Sequence, residues 1–306
     1  MPIPDALRSR LKVPAIAAPM FLVSGPDLVV EACNAGVVGS FPALNQRTTE
    51  GFAAWLTEIE GRLGPDAAPY AVNIIVHKTN PRVQADLEVV VARKVPIVIT
   101  SLGAAPEVVA AVHSYGGLVF HDVINVRHAR KAAQAGADGI IAVCAGAGGH
   151  AGALSPFALV PEIRRFFDGT IILSGAISTG AHIAAAQALG ADLAYLGTRF
   201  IATRESLAPE GYKQMLLESE AADIVYTPNV SGVYASFIRA SMAAAGMDPD
   251  APPGDHAMDM ANEARAWKTV WSAGQGVGSI RDIPATAALC ERLGEEHRAT
   301  IAGLKG

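Results

Sequence analysis

One histidine lies in a run of very small residues near the middle of the chain. The run spans residues 145–152, with the sequence Ala-Gly-Ala-Gly-Gly-His-Ala-Gly, and it follows the apolar segment 139–143. Histidine exchanges a proton near neutral pH, and small neighbours leave its ring and the backbone open to a ligand. We therefore expect His150 at the C-terminal tip of a buried strand, as an acid or base beside a flat cofactor. A hydrogen-bonded loop histidine is the alternative.

Two glycine-containing loops follow the last two predicted strands, at residues 174–180 and 196–200. Backbone N–H groups in such loops commonly bind phosphate after the last two strands of a barrel, and the helix starting near Ala181 would add its positive end. Glycines that only close tight turns are the alternative. The predicted phosphate-binding residues are Gly175, Ala176, Gly197 and Thr198.

A third segment is expected on the opposite side of the same opening. Residues 17–20 place small residues and a proline at the end of the first predicted strand, where backbone donors and acceptors could meet the edge of a flat ring. Asn73, at the end of the third strand, has an amide that could pair with such an edge, or it could cap the following loop. The ring-binding prediction comprises Ala18, Pro19, Met20 and Asn73.

Eight short apolar runs alternate with helical segments. The runs are continuous rather than alternating, which is typical of strands buried on both faces of a parallel sheet. They lie at 14–18, 36–39, 70–75, 96–100, 118–122, 139–143, 170–174 and 193–196. Helical spacing at 106–115, 126–135 and 181–189 ends each time at a glycine. This α/β pattern predicts a TIM (β/α)8 barrel, with a doubly wound open sheet as the alternative.

Residues 146–151 also match the formal fingerprint of a dinucleotide-binding fold, G-x-G-x-x-A. Pro156 and Pro161 stand where the helix of that motif should run, and we expect them to break it. The next strand ends at Ser174 rather than at an acidic residue for a ribose. We therefore reject the Rossmann interpretation.

Residues 206–279 exceed what a barrel needs. They include helical spacing at 211–221 and the unusual segment 271–276, and a closing helix is expected at about 282–304. We predict a barrel formed by residues 1–205 and 280–306, with a small helical lid of residues 206–279 inserted after strand eight.

Composition excludes several classes of function. The chain of 306 residues is 51% apolar and has a net charge of −5 without a basic cluster, so we expect a folded protein that binds no nucleic acid. No apolar stretch reaches the ~20 residues of a membrane span, and no signal-peptide pattern begins the chain; we expect a cytoplasmic protein. Cys33, Cys144 and Cys290 lack disulfide or zinc spacing, so no metal site is expected.

These segments together resemble the FMN-dependent nitronate monooxygenases, formerly called 2-nitropropane dioxygenases. The resemblance covers nearly the whole chain. It is carried by Ala-Pro-Met at 18–20, Asn73, Ala-Gly-Gly-His-x-Gly at 147–152, the paired loops ending in Gly-Thr-Arg-Phe at 197–200, and Trp-Ser-Ala-Gly at 271–274.

The resemblance implies FMN in the barrel mouth, with Gly149 and Asp122 among the residues around it. It implies His150 and Ser272 as the catalytic residues. His150 would abstract a proton from a nitroalkane or, when protonated, hold the oxygens of an alkyl nitronate. The implied reaction converts a nitronate and O₂ into a carbonyl compound and nitrite. The expected partners are small molecules, with a homodimer as the expected assembly.

Three positions depart from the family pattern. Ala17 replaces a glutamine that many relatives carry, and Ala176 replaces a frequent glycine of the phosphate loop, which a backbone contact should tolerate. Asp122 stands where some relatives have lysine or glutamine. An acid there would disfavour an anionic reduced flavin and change the redox behaviour.

Other functions stay open at this level. An FMN-dependent NAD(P)H:quinone reductase or enoyl-thioester reductase of the same superfamily would use NAD(P)H transiently and leave little trace in the sequence. A non-catalytic flavin-binding protein would use His150 only as a loop residue. A cysteine-dependent nucleotide dehydrogenase would need a mobile, exposed cysteine, and Cys144 lies too near its strand.

Overall fold

All eight predicted apolar runs form strands in the computed structural model, which describes residues 3–103, 105–254 and 268–305. The second strand lies later in the chain than the predicted run 36–39: it begins at Val38 and ends at Pro42. The strands, in chain order, are β1 (Ala15–Ala17), β2 (Val38–Pro42), β3 (Ala71–Ile75), β4 (Ile97–Ser101), β5 (Leu118–Val123), β6 (Gly139–Val143), β7 (Gly149–His150), β8 (Thr170–Ser174), β9 (Leu193–Leu196), β10 (Ile224–Thr227) and β11 (Ala235–Ile238).

Eight of these strands close into a parallel barrel in the order β1-β2-β3-β4-β5-β6-β8-β9. The ring closes between its first and last strands, where Ala17 pairs with Leu196. Large apolar side chains such as Phe120 and Ile172 fill the inside and leave no pore. The predicted TIM barrel is confirmed, and the open-sheet alternative is wrong.

Most of the described helices cover the outside of the barrel, and two of them belong to the extension of residues 206–279. They are α1 (Asp5–Arg8), α2 (Pro26–Asn34), α3 (Thr49–Arg62), α4 (Val83–Arg93), α5 (Pro106–His113), α6 (Val126–Gln134), α7 (Pro156–Arg164), α8 (Gly180–Ala188), α9 (Thr198–Ile201), α10 (Glu210–Glu218), α11 (Arg239–Ala244) and α12 (Thr286–Lys305). The side chain of Asn125 caps α6 by accepting a hydrogen bond from the N–H of His128 at 2.9 Å, and Gly136 follows its end at φ +90°.

The two prolines after the histidine run do not prevent a helix, contrary to our expectation. Helix α7 begins at Pro156 and contains Pro161. A proline is well tolerated in the first turn, because its missing N–H has no partner there in any helix. The Rossmann fold is nevertheless excluded, because the strands close into a barrel, whereas a Rossmann fold has an open sheet.

The extension after the barrel is not purely helical, which corrects the predicted helical lid. Besides α10 and α11, it contributes β10 and β11, and these form an antiparallel sheet with β7 in the order β10-β11-β7. Strands of two to four residues are too short to give a periodic signal, and β7 offers an edge only once the barrel has formed. Residues 255–267 of the predicted lid lie outside the described residues.

Parallel strands place all of their carboxyl ends at one face of the barrel, and the extension folds over that face. Within the described ranges, no helix is both long enough and apolar enough to cross a bilayer.

Candidate functional site

A cavity of about 990 Å³ opens at the carboxyl ends of the barrel strands, beneath the extension. It brings together every residue that we predicted to be catalytic or to bind the cofactor. Its lining includes His150 and Ser272, the pair Asn73 and Asp122, the strand-one residues Ala18, Pro19 and Met20, and Gly149, Gly175, Ala176, Gly197 and Thr198.

His150 is held by strand pairing rather than by a loose loop. It lies in β7, where it pairs with Ala235 of β11. Its Nε2 atom lies 3.4 Å from the hydroxyl oxygen of Ser231, which donates its own hydrogen to the carbonyl of Val233 at 3.1 Å. The serine oxygen is therefore placed to accept from Nε2–H. The ring is half-buried at the cavity wall.

Ser272 fixes the residue next to the histidine. Its hydroxyl oxygen accepts a hydrogen bond from the N–H of Gly149 at 2.6 Å and donates to the carbonyl of Ser236 at 2.7 Å. Gly149 has φ +68°, a left-handed conformation that favours glycine. The Ser272 hydroxyl thus links β7 to β11, and its catalytic role stays a prediction.

The segment around Ser272 is itself anchored at two points, one in the barrel and one in the extension. The N–H of Gly274 donates to the hydroxyl oxygen of Thr198 at 2.8 Å. The hydroxyl of Tyr212 donates to the carbonyl of Ser272, and its ring stacks on Trp271 with centroids 5.1 Å apart. Sequence analysis missed Tyr212, because nothing in its helical context distinguishes it from a core residue.

The loop after β8 holds two polar groups that bear on the predicted phosphate site. Ala176 has φ +54°, and its N–H donates to the carbonyl of Gly146 at 3.2 Å, so that group is used inside the protein. The hydroxyl of Ser178 is buried at the cavity without a hydrogen-bond partner. A Cβ added to Gly276 would lie 2.7 Å from the Ser178 hydroxyl oxygen, so only glycine fits beside this hydroxyl. Ser178 stands inside the loop that the sequence identified, so its hydroxyl was a signal we did not use.

The N-terminus of α8, which we expected to face a phosphate, is occupied by groups of the protein itself. The N–H of Gly180 donates to the Glu296 carboxylate at 2.7 Å, and the Thr179 side chain accepts from the N–H of His182. These protein groups occupy the positive end of the helix.

The residues after β1 line the cavity with little free backbone. The N–H of Ala18 donates to the carbonyl of Leu196, and the N–H of Met20 donates to the Ser24 hydroxyl at 2.9 Å. Pro19 has no N–H. This segment therefore offers a ligand mainly an apolar surface, whereas we expected free backbone donors and acceptors.

Asn73 and Asp122 are joined through Ser101, at the ends of three adjacent strands. The Asn73 amide donates to the Ser101 hydroxyl oxygen at 2.7 Å, and that hydroxyl donates to Asp122 Oδ2 at 2.5 Å. Burial raises the pKa of Asp122 to about 6, and the bond from Ser101 opposes the shift. Asn73 does not cap its loop.

Tyr195 of β9 also lines the cavity, and its hydroxyl is buried without a partner. Burial, together with the nearby Asp122, raises the pKa of this phenol well above its usual value, so the hydroxyl keeps its proton. Sequence analysis missed Tyr195, because a tyrosine in an apolar strand is typical of a barrel core.

The cysteines are unsuited to nucleophilic chemistry. Cys144 is fully buried, and burial raises the pKa of its thiol to about 12, so it carries no thiolate near neutral pH. The cysteine-dependent alternative is therefore not supported. Among the described residues, no group of three or more His, Cys, Asp or Glu side chains is arranged to hold a metal ion.

Arg199, of the Gly-Thr-Arg-Phe segment, serves the fold. Its side chain is buried and donates to Asp282 Oδ1 at 2.8 Å, tying α9 to the residues that precede α12. Arg292 binds the other oxygen of the same carboxylate at 2.8 Å.

Known proteins resemble this chain in sequence along nearly its whole length. The family model described as nitronate monooxygenase matches residues 7–296. A nitronate monooxygenase of Paraburkholderia phytofirmans is 30% identical, over 95% of this chain and 94% of that protein. A Rhodococcus jostii protein named as a hydroxy-methyl-oxo-octahydroindene-carboxyl-CoA dehydrogenase is 29% identical, over 72% of this chain and 61% of that protein.

Solved structures also resemble this chain in fold along nearly its whole length. FabK from Thermotoga maritima has a TM-score of 0.84 at 25% identity, covering 99% of this chain and 97% of that one. Nitroalkane oxidase from Streptomyces ansochromogenes has a TM-score of 0.82 at 26% identity, covering 98% and 100%.

Proposed function

Because this chain belongs to the nitronate monooxygenase family of oxidoreductases, we propose that it oxidises alkyl nitronates with O₂, using FMN, to carbonyl compounds and nitrite. The observation that carries the proposal is the position of His150. A short strand holds its imidazole at the wall of a cavity that the two glycine-containing loops after β8 and β9 also line.

The residues around the cavity fit an FMN. Gly175, Gly197 and the unpartnered hydroxyl of Ser178 would hold its phosphate, with Gly276 close by. The apolar surface at residues 18–20 and the polar ends of β3 to β5 would hold its ring. FMN bound there would accept two electrons from the substrate and pass them to O₂.

His150 acts on the substrate in this proposal. A neutral imidazole takes the proton from the carbon next to a nitro group, and a protonated one holds the oxygens of a nitronate. Ser272 acts through Gly149 as a positioning residue, because its hydroxyl already accepts one hydrogen bond and donates another.

A second candidate function is reduction of an enoyl thioester or quinone with NAD(P)H. The similarity to FabK and to a CoA-ester dehydrogenase favours it. So does charge: among the described residues that line the cavity, Asp122 is the only carboxylate, whereas the exposed rim carries Arg47, Lys131 and Lys268. Such a rim suits a phosphorylated co-substrate.

Anaerobic reduction of the flavin-loaded protein distinguishes the candidates. We expect ethyl or propyl nitronate to bleach the flavin absorbance near 450 nm, and O₂ to restore it with release of nitrite. Bleaching by NADH or NADPH alone would contradict the monooxygenase and favour the reductase. A flavin that none of these donors bleaches would identify a non-catalytic binding protein.

Two further properties belong to the proposal. The three cysteine thiols are free and buried, which is consistent with work in the reducing cytoplasm. The homodimer stays a prediction, to be tested by light scattering.

A further inference from the structure

The carboxylate of Asp122 is bonded on one side only. Its Oδ2 accepts from Ser101, which in turn accepts from Asn73. Its Oδ1 is buried without a hydrogen-bond partner, as is the hydroxyl of Tyr195. All four side chains line the cavity, so two unsatisfied oxygens lie where a ligand would sit. Buried polar atoms normally have partners, and this pair therefore indicates a ligand contact.

Among the described residues, no Lys, Arg or His side chain forms an ion pair with Asp122. Ser101 on β4 contributes a neutral hydroxyl, and Tyr195 on β9 keeps its proton. The other described titratable and charged groups that line the cavity are Arg47, Arg82, His128, Lys131, His150, Tyr212, Tyr234 and Lys268, and Arg82 is paired with Asp86. Burial raises the pKa of Asp122, and the hydrogen bond from Ser101 opposes that shift. The preceding residue in β5, His121, bonds to Thr100 instead.

Resting on the FMN site proposed above, we propose that Asp122 binds one proton from solvent when the bound flavin is reduced, and releases it on reoxidation. Two electrons pass from the donor to the ring, which takes up its own protons, and one further proton converts the Asp122 carboxylate into a neutral carboxyl group. Reoxidation by O₂ removes the two electrons and reverses the uptake.

The physical reason is electrostatic. A ring that gains electrons becomes more negative, and a carboxylate in contact with it in a poorly solvated cavity is destabilised. Reduction therefore raises the proton affinity of Asp122. Between its pKa in the oxidised protein and its higher pKa in the reduced protein, one additional proton accompanies the two electrons.

The test is a potentiometric titration of the flavin-loaded protein with dithionite and mediators between pH 5 and 9. Above about pH 6, we expect the midpoint potential of the wild-type protein to fall more steeply than that of Asp122→Asn. One additional proton changes the equilibrium constant tenfold per pH unit, which is about 30 mV per pH unit for a two-electron couple. Below that pH, the two slopes should converge, because Asp122 is then protonated in both redox states.

Ser101→Ala provides a second variant that keeps the carboxylate. Losing the bond that lowers the pKa of Asp122 should move the start of the steep region to higher pH. Proton uptake per two electrons, followed with a pH indicator, should likewise be greater in the wild-type protein than in Asp122→Asn.

Equal slopes and equal proton uptake in the wild-type protein and Asp122→Asn would overturn this inference while leaving the proposed function intact. If Asp122→Asn fails to retain flavin, an unchanged onset in Ser101→Ala would overturn it. A wild-type protein that binds no flavin overturns both. Because dithionite is the reductant, inactivity toward nitronates does not affect the result.

Discussion

The hydroxyl of Ser272 accepts the N–H of Gly149 at 2.6 Å, although the two residues are 123 positions apart in the chain. This bond joins the extension to the residue that precedes His150. The distance between the imidazole and a ligand in the cavity therefore depends on a residue that does not itself need to touch the ligand.

Ser272→Ala should reduce activity and stability together. The change leaves the N–H of Gly149 and the carbonyl of Ser236 without this partner, at a cost of about 1–3 kcal/mol. We expect kcat to fall more than flavin affinity. The matched control is Ser219→Ala, which removes a buried hydroxyl bonded to Met215 outside the cavity. Urea unfolding and steady-state kinetics measure both effects, and unchanged kcat would contradict the positioning role.

Gly149→Ala should also impair activity, through backbone strain. An L side chain at φ +68° costs about 1–2 kcal/mol and would be relieved by a shift of β7. Gly116→Ala is the control. Gly116 follows α5, has φ +84° and has open space around it, so an alanine there meets the same backbone strain away from β7. Both variants should lose similar stability, but only the first should lose turnover. If Gly149→Ala and Gly116→Ala turned over substrate equally fast, catalysis would not depend on the backbone conformation of β7.

His150→Gln should remove acid–base chemistry while keeping a polar side chain of similar size. We expect turnover with a nitroalkane to fall about 10²- to 10⁴-fold, the usual contribution of a general base. With a preformed nitronate the loss should be smaller, since no carbon proton needs to be removed. Flavin absorbance checks that the cofactor is still bound, and wild-type turnover in the variant would exclude the imidazole from the reaction.

Ser178→Ala should weaken FMN binding without destabilising the protein. Its hydroxyl has no partner within the protein, so its loss costs the fold nothing, whereas a lost bond to a charged phosphate costs about 1.5–3 kcal/mol. That corresponds to about a 10- to 150-fold higher Kd. Ser219→Ala breaks a bond to Met215 away from the cavity, so it should destabilise the protein and leave its affinity for FMN unchanged. Fluorescence titration of the apoprotein with FMN gives the affinities; an unchanged Kd for Ser178→Ala would place the phosphate elsewhere.

Asp282→Asn should destabilise the protein at neutral pH by about 1.5–3 kcal/mol, the usual contribution of a hydrogen bond to a charged group, because it leaves the buried Arg199 without its anionic partner. The hydrogen bond from Arg292, helped by the charge of Arg199, lowers the pKa of Asp282 in the folded state. Its stabilisation is therefore fully present above the unfolded-state pKa and is lost as the pH falls through the folded-state pKa. Urea unfolding should show a difference from wild type at pH 7 that shrinks toward pH 3. A difference independent of pH would contradict the ionic explanation.

Local patterns in the sequence were enough to predict the barrel and to predict which residues form the site. Continuous apolar runs with glycines after the intervening helices reveal buried parallel strands, and parallel strands must place their carboxyl ends at one face. His150, Asn73, Asp122 and the loops after β8 and β9 could therefore be assigned to a common cavity without coordinates.

Tertiary structure alone decided what each group is bonded to. Strand β7 exists because β11, 85 positions further along, supplies the partner that pairs Ala235 with His150. The same long-range contacts occupied the N–H of Ala176 and the N-terminus of α8, and left the oxygens of Ser178, Tyr195 and Asp122 without partners. Hydrogen-bond partners distant in the chain depend on how the extension packs on the barrel, and residue type and spacing do not encode that packing locally.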